Sequence, residues 1–303
     1  MTDTVTSSDL IKGFREVGLK PGDVVLTHSA MRTFGPIDDG ADAVIDALLE
    51  VIGPRGTLVA PAFTFAHEAE DDPIIDPARD RSEMGIITET ARKRTDAFRS
   101  TAYRHSFAAI GRRATVITDV DPALPVFDFR SSFGVMLSLN THVLLLGVTY
   151  TSSTSHHFAE MVCDVPNRHT IPLTVKVRHN EASVTEQTMT DYQPKSEGGS
   201  YYGSRGPDFN RLGMMLENHG VVEKTFIGNA AVRCFPMRAL IDLAQVEADT
   251  DYNVFRTPDG KPSEITGLDF GQCIMSPEFS DGAGRPTRVQ WCVKDLQQLT
   301  LPG

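Results

Sequence analysis

The chain has 303 residues, 40% of them apolar and 23% charged, with a formal net charge of −11. That balance is ordinary for a folded globular protein and argues against a nucleic-acid partner, which needs basic surface. No run approaches the roughly 18 apolar residues of a membrane span, and the opening MTDTVTSSDL lacks the basic and apolar regions of a secretory leader, so a cytoplasmic protein off the membrane is expected. Cys163, Cys234, Cys273 and Cys292 lie far apart with no Cys-x-x-Cys spacing, against a structural zinc or a disulfide framework.

Ser8 is placed to cap a first helix whose apolar face is Leu10, Ile11, Phe14 and Val17, and Pro21-Gly22 ends it. Asp23 to Thr27 reads as a short buried strand reaching His28-Ser29. GADAVIDALLEVI (40–52) has helical spacing, and GTLVAPAF (56–63) is the next strand. Strand, helix and strand on short links predict a parallel pair with a right-handed crossover. Residues 64–83 are aperiodic, acidic and broken by Pro73 and Pro77, which predicts a long loop. A basic-ended helix follows over 84–96, and SFAAIG (106–111) and ATVITDV (114–120) both look like strands.

THVLLLGVTY (141–150) is the strongest strand signal, a continuous apolar run suited to a sheet covered on both faces. Beyond it, LTVKVRH and SVTEQTMT alternate apolar and polar residues like an antiparallel ribbon, and 194–206 reads as a polar loop. Pro207 to Gly220 predicts a helix and KTFIGNAAVRCF a strand or hairpin. Pro236 is read as the first residue of the helix PMRALIDLAQV, and 247–303 is mixed and rich in turns.

Common catalytic signatures are missing: there is no GxGxxG after the first strand, no GxxxxGK[ST], no GxSxG and no HExxH. The chemistry concentrates in SSTSHHFAEMVCDVPNRH (152–169), at the carboxyl end of the strongest strand, where open α/β sheets bind ligands. His157 and Glu160 are three apart and share a helix face, so the carboxylate can fix the imidazole as a base. The same spacing also occurs on solvated helix faces. His156 is turned about 100° away and reads as surface or supporting residue. His156, His157 and Glu160 as metal ligands would require a third convergent group, so no metal is expected; a metal-dependent hydrolase stays as a distant alternative. Cys163 reads as core. THSAMRTFG (27–35) offers hydroxyls on Thr27, Ser29 and Thr33, with Arg32 beside them, as a phosphate cradle or a capped loop. FRSSFG (129–134) is a second hydroxyl-rich turn with the same two readings.

Taken together these segments resemble the aminoglycoside 3-N-acetyltransferase family. The stretches LTHSAMRTFGPIDDGADAVIDALLEVIGPRGTLVAPAFT, MGIITETARKR, HSFAAIG, RSSFGVML, VLLLGVTYTSSTSHHFAEMVCDVPNR and IGNAAVRCFPMRALIDLA carry the resemblance, over about residues 8–246. It implies one domain over 1–303: that core, a ribbon and loop insertion at about 171–206 and a C-terminal extension at 247–303. It implies a three-layer α/β/α fold with a mostly parallel central sheet and a small antiparallel ribbon. It implies acetyl transfer from acetyl-CoA to an amine, by direct transfer, in a monomer or homodimer. His157 then matches the catalytic histidine, Glu160 its glutamate, and Thr154 and Ser155 the hydroxyls near the thioester. His28, Ser29, Ala30, Met31, Arg32 and Thr33 match one loop against coenzyme A, and Ser131, Ser132 and Gly134 a second. Glu68, Asp72 and Asp76 on the acidic loop are candidates for binding a polyamine sugar. The chain departs from the family at Ala30 and Ser153, at Thr101-Ala102-Tyr103-Arg104-His105, where antibiotic-modifying members carry His-Pro, and at Ser131-Ser132, where they carry Ser-Pro. The alternative is therefore a non-antibiotic amine metabolite as acceptor.

Overall fold

The computed structural model describes residues 4–195 and 208–256. The first helix, α1 (Ser7–Glu16), is capped by Thr6, not Ser8: the Thr6 hydroxyl accepts from the Asp9 N–H while Asp9 returns a bond to the Thr6 backbone. Strand β1 (Val24–Ser29) leads through a short turn into α2 (Gly40–Ile52) and β2 (Thr57–Pro61). The expected parallel pair is present, with Val24 opposite Thr57 and Leu26 opposite Val59. After the acidic segment come β3 (Ile74–Ile75), α3 (Ile86–Lys93), β4 (Ala97–Arg99) and β5 (Phe107–Gly111).

Residues 114–118 form a helix, α4 (Ala114–Thr118), where a strand is expected. Thr57 Oγ1 accepts from the Arg113 N–H and turns the chain out of the sheet. Ala114, Ile117 and Thr118 are then buried while Val116 is half exposed, a period of three to four and not of two. The β-branched residues are tolerated because the buried face, not propensity, decides. Then follow α5 (Ser132–Ser138), β6 (His142–Leu146), α6 (Ser155–Val162), the hairpin β7 (Arg168–Asn180) and β8 (Ser183–Pro194), α7 (Phe209–Asn218), the hairpin β9 (Glu223–Ile227) and β10 (Ala230–Pro236), and α8 (Met237–Thr250). Pro236 ends β10, still opposite His142, and caps α8 instead of opening it.

The central sheet has seven strands in the order β4-β5-β2-β1-β6-β10-β9. Its middle, β2-β1-β6, is parallel; both flanks are antiparallel. Side chains of β6 alternate between two cores. Val143 and Leu145 pack with α4 to α8; Leu144 and Leu146 pack with α1, α2 and α3. The architecture is thus three layers, α/β/α, around a sheet covered on both faces.

Two segments expected to be separate are joined. Within the acidic loop, Ile74 and Ile75 pair with Lys176 and Val177, making a three-stranded sheet β3-β7-β8. Ile75, Val175, Val177 and Met189 form its own small core. The ribbon begins at Arg168, immediately after α6, so it is anchored to the segment carrying the histidines. Among the described residues no helix is long and apolar enough to cross a membrane. Cys273, Cys292, residues 196–207 and the extension beyond residue 256 lie outside the described residues.

Candidate active site

The site is built where the parallel strands end. Gly147 follows β6 with φ +68°, and a Cβ there would lie 1.7 Å from Thr33 Oγ1. Only glycine lets the β1 loop and the chain leaving β6 approach so closely. A turn over Tyr150–Ser152 then delivers Thr154 as the residue preceding α6. Thr154 makes no side-chain cap and Ser155 Oγ is buried with no hydrogen-bond partner, so both hydroxyls remain uncommitted at the start of the helix.

One turn on, His157 Nδ1 lies 2.6 Å from Glu160 Oε2. The glutamate side chain is 3% exposed and the histidine 21%, so the ring faces solvent on one edge and the carboxylate on the other. Arg168, the first residue of β7, donates from Nη2 to the same Glu160 oxygen at 3.1 Å and is itself buried. Its Nη2 also lies 3.2 Å from His157 Nδ1, but a guanidinium has no acceptor, and the shared carboxylate takes a bond from each. The network assigns the proton of the neutral ring to Nδ1 and leaves Nε2 with its lone pair. A ring with a free nitrogen, a carboxylate behind it and a guanidinium bonded to that carboxylate is an arrangement for receiving a proton. Phe209 stands edge-on to His157 at 4.8 Å, and Phe127 is 6.1 Å away.

His156 faces the opposite way. It is fully buried, stacked 4.9 Å from Phe209, with Nδ1 donating to the Ser153 carbonyl at 3.3 Å. The surface alternative for this residue is corrected: the ring fills core. Burial pushes its pKa down to about 3. Cys163 ends α6 partly buried, and burial raises its thiol to about 12, which suits packing and not nucleophilic attack.

The β1 loop divides by side. His28 is buried and burial holds its pKa down at about 4, so it presents no positive charge. Ser29, Ala30 and Met31 are half-buried, while Arg32 and Thr33 are exposed at the rim. Thr33 Oγ1 donates to the Ala30 carbonyl. In the second loop Ser131 caps α5 through the Phe133 N–H, and Ser132 Oγ donates to the Ile117 carbonyl. Gly134 has no room for a side chain, since a Cβ would fall 1.8 Å from the Phe129 carbonyl oxygen. Ser132 thus spends its hydrogen on the fold, while Ser131 acts there only as an acceptor.

The three acidic candidates are dispersed along the ribbon. Glu68 pairs with Arg104 at 3.1 Å, Asp72 with Lys176, and Asp76 with Arg178 at 3.4 Å while also accepting from the Ala78 and Arg79 N–H groups. Arg104 binds the fully buried Asp191 as well, at 3.1 Å. Residue spacing does not reveal Arg168, Phe127 or Phe209, which come from three separate segments. The one available signal is that Arg168 closes the Val-Pro-Asn-Arg stretch just beyond the helix.

Residues 26–247 match the model of the family described as aminoglycoside 3-N-acetyltransferase. The chain is similar to aminoglycoside N(3)-acetyltransferase IV of Salmonella sp., with 33% identity over 52% of this chain and 60% of that protein. It is similar to aminoglycoside N(3)-acetyltransferase VII of Streptomyces paromomycinus, with 27% identity over 84% of this chain and 96% of that one. Among solved structures, the apoenzyme of the aminoglycoside acetyltransferase AAC(3)-IVa superposes with a TM-score of 0.69 at 26% identity, covering 84% of this chain and 92% of that chain.

Proposed function

From the premise that the chain belongs to the aminoglycoside 3-N-acetyltransferase family, and so to the acyltransferases, we propose that it transfers an acetyl group from acetyl-CoA directly to an amino group of an aminoglycoside-like amine, with His157 as general base oriented by Glu160. The observation that carries this reading is the 2.6 Å contact between His157 Nδ1 and buried Glu160, which leaves Nε2 free on the open edge of the ring.

An alkyl amine arrives mostly as ammonium, and its nitrogen attacks only after losing a proton. That first proton leaves to solvent; His157 then takes the second proton from the amine at Nε2 as the new C–N bond forms and the C–S bond breaks. The imidazolium returns that proton to the departing thiolate, so the products are the amide and the free thiol. Glu160, held by Arg168, stabilises the imidazolium between the two transfers. Thr154 and Ser155 stand at the start of α6 with uncommitted hydroxyls, suited to the acyl group. The residues at the rim fit the cofactor side: Arg32 can meet phosphate, and Ser29 to Thr33 offer backbone and hydroxyl groups. Ser132 and Gly134 contribute through backbone and shape, because the Ser132 hydroxyl is already donated and the glycine allows close approach, while Ser131, which accepts from the Phe133 N–H, keeps a hydrogen to offer.

A second reading, with a non-antibiotic amine metabolite as acceptor, is favoured by one observation: Glu68, Asp72 and Asp76 each already hold a cation of this chain. Thiol release from acetyl-CoA across a panel of aminoglycosides and small amines separates the two. For the base, His157→Ala is expected to lower kcat about 10³-fold while the Kd for coenzyme A stays within about twofold. Wild-type turnover in that variant would remove His157 from the mechanism.

A further inference from the structure

His105 lies beside the site and has no part in the transfer as written. It closes the loop ahead of β5, in ring contact with Phe63 at 4.8 Å and Phe127 at 5.5 Å, and Phe127 in turn reaches the His157 ring. Its Nδ1 is sealed from solvent with no hydrogen-bond partner, yet the residue as a whole is only half-buried. It lines a small cleft of about 30 Å³ together with Arg104, Phe107, Ser131 and Ser132. His105 therefore stands between the loop assigned to the cofactor side and, through Phe127, the His157 ring.

The buried nitrogen settles the tautomer. A buried N–H without an acceptor is the rarer and costlier defect, so Nδ1 is the bare nitrogen and Nε2 carries the proton. Burial and the cations of Arg104 and Arg168 hold the ring neutral. Ser132 Oγ in the same cleft already donates to the Ile117 carbonyl, while the Nε2–H of His105 meets no hydrogen-bond partner among the described residues.

We propose that His105 is a catalytic hydrogen-bond donor whose Nε2–H meets the acyl oxygen of the thioester as negative charge develops on it. This rests on the acyl-transfer reading above. The donor keeps its proton and no bond to His105 is made or broken. A neutral imidazole is suited to this role, because it polarises a carbonyl without competing as an acid. On this proposal the amine and the acyl carbon meet beside His157, and the acyl oxygen lies on the His105 side of that junction.

The test uses the two amide replacements of histidine. Glutamine places its N–H near the position of Nε2, and asparagine near that of Nδ1. The carbonyl stretch of ¹³C-labelled acetyl-CoA bound to the full chain is read by infrared spectroscopy, which needs no acceptor amine. In the wild type it is expected at lower frequency than in water, in His105→Gln to stay low, and in His105→Asn to return towards the free value. With gentamicin or an accepted amine, His105→Gln is expected within about fivefold of wild-type kcat and His105→Asn about 10²-fold down, with the Kd for coenzyme A within twofold in both. Equal stretches in all three proteins, or equal kcat losses in the two variants, would overturn the assignment. His157→Ala run alongside separates the failures. If it alone is inactive and His105→Asn is not, the base stands and His105 is no donor. If it keeps full activity, or acetyl-CoA does not bind, the acyl-transfer reading itself goes.

Discussion

Arg168 and Arg104 are both buried, and each binds a buried carboxylate and reaches one further group. Arg168 sits against Glu160 and His157; Arg104 sits against Asp191 and Glu68. The first cluster ends in a ring that can change charge and is open on one edge. The second ends in carboxylates, and it ties three segments together: the acidic loop, the loop ahead of β5, and β8. The same pairing chemistry thus supports catalysis in one place and assembly in the other. What differs is whether the third partner can take up a proton.

Replacing the arginines breaks the comparison most severely. Arg168→Met strands a buried carboxylate, and a loss of about 3–5 kcal/mol of stability is expected, together with at least 10²-fold in kcat measured below the lowered melting temperature. Arg104→Met is expected to lose stability of the same order, read by denaturant unfolding, but to keep kcat within about fivefold on the folded fraction. Equal activity losses in the two variants would mean that the second cluster is also catalytic. A gentler probe keeps the shape: Glu160→Gln removes the carboxylate charge and lets the ring choose the wrong tautomer. There kcat is expected to fall on the order of 10²-fold, with KM for acetyl-CoA within about threefold in steady-state assays.

A smaller effect separates His157 from its neighbours His156 and His28, whose values burial holds at about 3 and about 4. Both rings are neutral in the folded chain and take protons once it unfolds. Their contribution is therefore whole above pH about 6.5 and falls as pH drops towards those lower values. From pH 7 to pH 5 each is expected to remove about 2 kcal/mol from the unfolding free energy. Urea unfolding across that range checks it. His156→Leu should flatten the slope by about one proton, and an unchanged slope would show that the buried ring is not the source.

The difference between these histidines also marks what the sequence could disclose. Helical spacing predicts that His157 and Glu160 meet, and a continuous apolar run locates β6 and the edge where they sit. Spacing of three is local geometry, so it survives without knowledge of the fold. Arg168 and Phe127 reach the site only through tertiary packing, from segments whose own patterns say strand end and loop. Residues 114–118 mislead for the same reason: β-branched side chains suggest a strand, while the turn at Arg113 and the burial of Ile117 impose a helix. The acidic loop was legible as a loop but not as part of a sheet, because a pair of isoleucines is too short to show a period and their partner strand lies about a hundred residues away.

That loop yields the smallest expected change and the finest distinction. Asp72 is largely exposed and holds Lys176, itself on the ribbon surface. Exposed pairs of this kind are screened by salt and add little to stability. If the acidic segment serves mainly to fasten β3 to β7, Asp72→Asn should leave kcat and the acceptor KM within about twofold and the melting temperature nearly unchanged. If it instead receives a polyamine sugar, the same substitution removes a charge that the acceptor needs, and the acceptor KM should rise several-fold at low ionic strength and less at high. Measuring that KM at two salt concentrations decides between a fastening loop and a binding loop, because an acceptor ammonium attracted by the exposed Asp72 makes the mutational effect depend on screening and a fastening contact does not.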